Sequence, residues 1–509
     1  MSRTKEKRLK KQQAREEKQQ EQIRSGKVIR VVYEERKKKK ALPNRLNMGD
    51  SVEKETAERQ DTVERATMVY RQMLPELLKK LGKIKDPRRP GSVKHKLTVL
   101  MAYGILLFVY QIGSRREANR TMTRICFENL QAMFPEFKTL PHADTMARLL
   151  EEMDVTEIQE CMIALLKDLI RKKKFQNYLI RKHYLIAIDG TQKFYRDYKW
   201  DEKCLKRHVG GETGHDQFYV YVLEAVLVLD NGITLPLMSI FLQNKDYIEG
   251  VTKQDCERKA FKRMAGRLKK TFPGMRIAVV VDGLYACGPI IHICQNNKWD
   301  YMIVLKEDGM KDVWHEATGL IRIDPDNRLD VMWGERKQVY TWANGIEYEY
   351  EENGQKKRQT LHVVICHETW QENHTRSTNA VEEKNTRYAW ISSKRLNEKN
   401  VFLRCTKMGR YRWKIENNIL TEKHQGYEYE HCYSYTWNAM EGYHYLMKIG
   451  RFLNVLAMNS ELLIDKVREL GIQGFIRYLK LACSGCSLDK EKIWEAANGR
   501  YQWRLVPVV

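Results

Sequence analysis

Two stretches limit what this chain can fold into more than any others: Tyr184-Leu-Ile-Ala-Ile-Asp-Gly190 and Arg276-Ile-Ala-Val-Val-Val-Asp-Gly283. Each is a short apolar run that stops at Asp-Gly. A run without polar alternation is buried on both faces, so each reads as a strand inside a covered sheet that delivers an acid, Asp189 or Asp282, at its end. Between them lie two more strand patterns, residues 218–229 and 234–242, joined at Asp230-Asn-Gly232, a strong hairpin signal. A helix over roughly 252–270 follows and closes at Phe272-Pro-Gly274. After Asp282 come a helix over about 284–297 and a strand over 301–305. The order β, β, β, α, β, α, β predicts an α/β fold with a mixed sheet, in which neighbouring strands would set the two acids side by side.

The flanks differ. From about 51 to 174, apolar residues recur at three and four spacing, in 69–81, 97–110, 146–153 and 158–170, which predicts helices. Basic loops interrupt them at Lys85-Asp-Pro-Arg-Arg-Pro-Gly91 and around Arg115, Arg116, Arg120 and Arg124. Such ends and loops suit a duplex, although they also serve solubility; DNA binding is the favoured reading. The longest apolar run, 97–110, is too short to span a bilayer, and the charged N-terminus carries no apolar segment of a secretion signal.

Charge names a partner class. With 90 Lys and Arg against 66 Asp and Glu, the net of +24 points to a polyanion, nucleic acid first. Residues 1–40 alone hold 16 Lys and Arg against 6 Glu, an arm suited to salt-sensitive phosphate attraction or to solubility. Eleven cysteines without a framework predict a reducing cytoplasm, and the lone Cys483-Ser-Gly-Cys486 has no second pair at zinc spacing.

Beyond 306, short strand patterns (328–333, 338–342, 346–351, 360–367, 387–392) are split by clusters such as Glu352-Asn-Gly354, predicting a mostly β insertion. Residues 436–482 are helical again. There Leu446, Met447, Ile449, Phe452, Leu453 and Leu456 form one broad apolar face, read as core or as a partner surface. The expected organisation is a basic, disordered arm (1–45), a helical DNA-binding region (46–178), the first part of the α/β core (179–306), the β-rich insertion (307–396), a core helix with a further acid (397–430) and a C-terminal helical region (431–509).

That further acid is Glu416, in the stretch from Gly409 to Lys423. On a helix Arg412 lies about 40° and Lys423 about 20° from it around the axis, so one face presents a carboxylate flanked by cations. Taken alone, such a stretch is ordinarily an ion-paired surface helix, and a plain turn accounts for either Asp-Gly alone. Three acids in a basic chain also suit a shared site. Carboxylates are hard ligands for Mg²⁺, and two such ions about 4 Å apart serve in-line phosphoryl transfer.

With Asp189 in AIDGT, Asp282 in VVDGLY and Glu416 in RWKIEN, spaced by 93 and 134 residues, the chain resembles a DDE transposase of a bacterial insertion sequence, of the group typified by the IS-four and Tn-five elements. The resemblance covers most of 140–458 and, more loosely, the helices before it. It implies an RNase H-like core interrupted by a β insertion before the last acid. The group's signature there is Tyr, Arg three later, Glu four after that and Lys seven further on. Arg412, Glu416 and Lys423 match; Gly409 stands in place of the Tyr, with Tyr411 two residues away. Trp413 matches a position where a tryptophan stacks near a flipped base, and core packing competes with that role. By the resemblance, Asp189, Asp282 and Glu416 are catalytic and hold two Mg²⁺, with Mn²⁺ able to substitute, while Arg412, Trp413, Lys423 and Tyr411 contact DNA. The implied activity is hydrolysis at a transposon end to free a 3′ hydroxyl, then its attack on target DNA. The implied partners are double-stranded DNA ends and target and a second copy of the chain, in the bacterial cytoplasm at the nucleoid. A nuclease that does not join, and a DNA-binding protein that has lost catalysis, are the other readings.

Overall fold

The computed structural model describes residues 13–14, 17–18, 20–22, 24–25, 29–31, 51–244, 255–373, 381–485, 487–499, 501 and 504–506. Most of the predicted basic arm, the start of the helix predicted from 252, and Cys486 lie outside them. In chain order, β1 (Ile29–Val31) precedes helices α1 (Val52–Arg71), α2 (Leu74–Leu81), α3 (Leu97–Val109), α4 (Arg115–Thr121), α5 (Arg124–Met133), α6 (Ala143–Glu152) and α7 (Thr156–Arg171). The strands β2 (Tyr184–Arg196), β3 (Leu205–Val209), β4 (His215–Val228) and β5 (Thr234–Leu242) follow, then α8 (Glu257–Thr271), β6 (Ile277–Val281), α9 (Gly288–Asn296) and β7 (Asp300–Val304). Next come α10 (Lys311–Ile323), β8 (Arg328–Trp333), β9 (Arg336–Glu352), β10 (Gln355–Asn373) and β11 (Val381–Ser392). The chain closes with α11 (Val401–Lys407), α12 (Trp413–His424), α13 (Trp437–Met458), α14 (Ile464–Leu470), α15 (Ile472–Gly485) and α16 (Lys490–Asn498). The fold is thus mixed α/β with parallel and antiparallel strand pairs and many helices. Among the described residues no helix is long and apolar enough to cross a membrane.

The chain divides into two compact units. The larger comprises Pro43–Ile277 and Tyr411–Val509, the smaller Met1–Leu42 and Ala278–Arg410. In the larger unit β2 pairs antiparallel with β4, while β3 and β5 share the other edge of β4, one after the other. Helices α7, α8, α12 and α13 pack on these strands. α13 also lies against α1, α3, α6 and α7 and is buried along almost its whole length, so the broad apolar face predicted for it is core. Its crossing with α3 is close: a Cβ on Gly450 would stand 2.6 Å from Phe108 Cβ and 3.2 Å from the Phe108 carbonyl carbon. Gly450→Ala must push the two backbones apart, and we expect it to cost about 1–3 kcal/mol in urea unfolding.

In the smaller unit the strand order is β1-β8-β9-β10-β11-β7-β6, with β1 parallel to β8, β6 parallel to β7, and the other pairs antiparallel. The buried guanidinium of Arg404 (α11) ties the chain leaving β11 back to Asp300 of β7 through bonds of 2.7 and 3.0 Å. Helix α10 lies in the region expected to be mostly β, ahead of its first predicted strand at 328; its Val313, Trp314 and Ala317 are buried. The patterns 338–342 and 346–351 prove to be one strand, because Asn344-Gly345 forms an irregularity in the β9–β10 pairing, with Gly345 at φ 82°, rather than a turn.

Candidate active site

The strand carrying Asp189 does not stop there. β2 runs on to Arg196, with Asp189 opposite Glu224 of β4 in continuous register, so neither the strand end nor the Asp-Gly turn expected at this position exists. Glycine at 190 serves close packing instead. A Cβ there would lie 2.5 Å from Glu257 Cδ and 2.6 Å from Tyr221 Cε1. Those two side chains bond to each other, Tyr221 O–H donating to Glu257 Oε1 at 2.8 Å, and burial, then Glu257, raises the Tyr221 pKa.

The second acid arrives on α12. Residues Gly409–Arg412 form a 3₁₀ turn, and the α-helix proper begins at Trp413. Glu416 in its first turn and Lys423 and His424 in its last complement the helix dipole. Ile415, Asn418, Ile419 and Glu422 are its buried face, set against β2, β4 and β5. Tyr411 anchors the entry by donating its hydroxyl to the Asp230 carbonyl at 2.8 Å. Lys423 anchors the exit by donating to the Gln192 carbonyl at 3.1 Å and pairing with Glu430 at 2.9 Å.

Between these anchors Arg412, only 9% exposed, joins the two acids. Its Nη2 donates to Glu416 Oε1, and its Nη1 lies 3.6 Å from Asp189 Oδ2. Asp189 Oδ1 also accepts from the Gly190 N–H at 3.0 Å. The Asp189 side chain is 18% exposed and that of Glu416 46%, so the cluster opens to solvent on the helix side. Trp413 is 38% exposed. Larger-unit residues Asp189, Tyr411, Arg412, Trp413, Glu416 and Lys423 therefore gather around the start and underside of α12. Asp282 follows β6 in the smaller unit, where its carboxylate accepts from the Leu284 N–H at 2.9 Å and caps the turn Gly283–Tyr285. Among the described residues no three His, Cys, Asp or Glu side chains are grouped to hold a metal ion.

Behind the pair lies a buried polar network that the sequence reading passed over. Lys448 of α13 stands 2.6 Å from Glu422 Oε2 and 3.0 Å from Glu224 Oε1. Tyr429 donates its hydroxyl to Glu224 Oε1 at 2.8 Å and Ser239 donates to Oε2 at 2.7 Å. Burial, the largest single influence, opposes the charge of Glu224, but Lys448 together with the hydrogen bonds from His444 and Ser239 outweighs it and holds the carboxyl far below its usual range. Burial likewise opposes the charge of Lys448, and Glu224 and Glu422 overturn it, keeping the ammonium above its usual value. His444, 3.3 Å from Glu224, is pushed down to about 3 by burial and is uncharged near neutrality, so Lys448 is the cation that matters. The available signal was a charged residue inside an apolar pattern, at Glu224 and at Lys448.

Lys193 on β2, enclosed and donating to the Tyr429 carbonyl, is pushed by burial from 10.5 to about 8. A lysine lowered in the folded state binds its proton more weakly there than when unfolded. Its penalty is complete below pH 8 and is relieved as pH rises through 8 to 10.5. The stability difference between wild type and Lys193→Met should therefore move by about 3 kcal/mol in favour of wild type across that interval, read by urea unfolding at each pH.

Residues 78–166, from the end of α2 into α7, match the family described as DDE_Tnp_1-associated. The match covers 89 of the 509 residues and points, for that helical region, to the DDE transposases in general. No curated protein matches the chain.

Proposed function

We propose that the chain is a DDE transposase of the IS-four and Tn-five type, with an RNase H-like core, that binds transposon ends and carries out Mg²⁺-dependent cleavage and strand transfer. The observation that carries this reading is that Asp189 and Glu416, 227 residues apart, meet around one buried cation, Arg412. Hard oxygen donors already arranged about a positive charge suit a hard divalent ion. Asp189 and Glu416 would hold it, with Asp282 as third ligand on the strength of the resemblance. Bound there, Mg²⁺ supplies an activated attacking hydroxyl and charge stabilisation at the leaving oxygen. Arg412 neutralises the two acids while DNA is absent and turns to a DNA phosphate when it arrives. Exposed Trp413 offers a face on which a base stacks. The net charge of +24 draws the duplex in, and two copies of the chain hold two ends.

The test is direct. Purified protein, Mg²⁺, a plasmid target and pre-cleaved duplexes taken from the DNA on either side of the gene and bearing a 3′ hydroxyl should give joined product. Cleavage without joining on those ends overturns the transposase reading in favour of a nuclease.

A further inference from the structure

We propose that Lys448 is a positioning residue for this reaction, one ammonium that fixes the helix of Glu416 against the strand pair of Asp189. The proposal rests on the function given above and adds to it residues that touch neither DNA nor the reacting atoms. Glu224, one partner of Lys448, is the residue of β4 directly opposite Asp189 on β2. Glu422, its other partner, lies six positions after Glu416 on α12, less than two turns along the same helix. Lys448 therefore connects, through two contacts of 3.0 and 2.6 Å, the two elements that present the acids.

The connection is stiff because its members are bonded on all sides. Glu224 is held by Tyr429 and Ser239 as well as by Lys448. Glu422 Oε1 accepts from Asn418 Nδ2 at 3.0 Å, and Asn418 Oδ1 accepts from the Thr234 hydroxyl at 3.1 Å, which ties α12 to the start of β5 as well. Lys448, Glu224 and Glu422 are all buried to 1% exposure or less. Apolar side chains of the same size would fill this space, and replacing a buried ion group by them often leaves stability intact. Apolar packing is non-directional, however, and lets a helix slide or roll by a fraction of an ångström. Charged hydrogen bonds specify one position, which a two-carboxylate site needs within about 0.5 Å.

The test uses the full chain carrying Lys448→Met, Glu224→Gln and Glu422→Gln together, which removes the charges while keeping volume. It should fold, with wild-type circular dichroism. Its kcat for joining should fall about 10- to 100-fold at unchanged KM for the DNA end, and Mn²⁺ binding to the DNA-free protein, read by electron paramagnetic resonance, should weaken by a similar factor. A merely structural network would move neither quantity in a folded variant, so wild-type kcat and Mn²⁺ affinity overturn the proposal. If the triple variant does not fold, Glu422→Leu replaces it: this frees only α12, leaves the Lys448–Glu224 pair, and carries the same two expectations and the same refutation. If wild type binds Mn²⁺ but joins nothing, the function fails while the difference in Mn²⁺ affinity still decides the role of Lys448. A wild-type chain that binds no Mn²⁺ overturns both.

Discussion

Glu416→Gln protein is expected to bind a transposon end as tightly as wild type while joining it at least about 10³-fold more slowly. Glutamine keeps the shape of the side chain and an oxygen to accept from Arg412 Nη2, so the start of α12 stays in place. What it removes is the negative charge. A neutral amide oxygen is a far weaker ligand for a divalent ion than a carboxylate, and the loss falls on chemistry rather than on the grip of the duplex. Binding should even strengthen slightly, because one anion near the phosphates is gone. Gel-shift titration and a joining assay on the same preparation separate the two effects. Joining at the wild-type rate would remove Glu416 from the reaction. Asp189→Asn should behave alike, since the same guanidinium lies beside both acids. Asp282→Asn asks whether the smaller unit supplies a ligand: a loss of similar size supports the triad, and full activity confines the metal to Asp189 and Glu416.

Local chemistry announced some of this arrangement and hid the rest. The run 184–190 reads as a strand because nothing in it interrupts burial, yet its continuation through Thr191-Gln192-Lys193 carries polar residues and is held by pairing with β4, a partner no local pattern reveals. Gly190 looked like a turn because Asp-Gly so often is one; the reason for it is the Tyr221–Glu257 pair pressed on the backbone. The approach of Arg412 to Glu416 follows from helical spacing, four residues apart. Its approach to Asp189 crosses more than two hundred residues and depends on how α12 lies on β2. Helix α10 was hidden by the strand patterns around it, although Val313, Trp314 and Ala317 have helical spacing. Glu422 and Lys448 were hardest to see. A charged side chain counts as solvent-facing in any hydropathy pattern, and only the enclosed bonds between these two show why α12 and α13 bury them.

Lys448→Met alone should lower stability by about 3–5 kcal/mol at neutral pH, the largest stability loss expected of any single substitution considered for this chain. The reason lies in what remains, not in what is removed. Without the ammonium, Glu224 and Glu422 stay buried a few ångströms apart, two carboxyls with no cation between them, while methionine fills the space. The pH dependence separates this from simple misfit. In wild type the Glu224 carboxyl is held far below 4.5, so its contribution is complete above that value and is lost only in strong acid. In the variant the hydrogen bonds from Tyr429 and Ser239 remain, but burial, the largest influence on this carboxyl, is no longer offset by the ammonium and raises it. The folded state then takes up a proton that the unfolded chain releases, so the variant's stability falls as pH rises through and above 4.5. The deficit should accordingly be larger at pH 8 than at pH 5 in urea unfolding, whereas a packing defect would cost the same at both. Adding Glu224→Gln and Glu422→Gln should restore most of the loss, since no buried charge is then left unpaired. A Lys448→Met protein within about 0.5 kcal/mol of wild type at neutral pH would show that the two acids are neutral already or reach water, and that the ammonium does not hold α12 on the sheet.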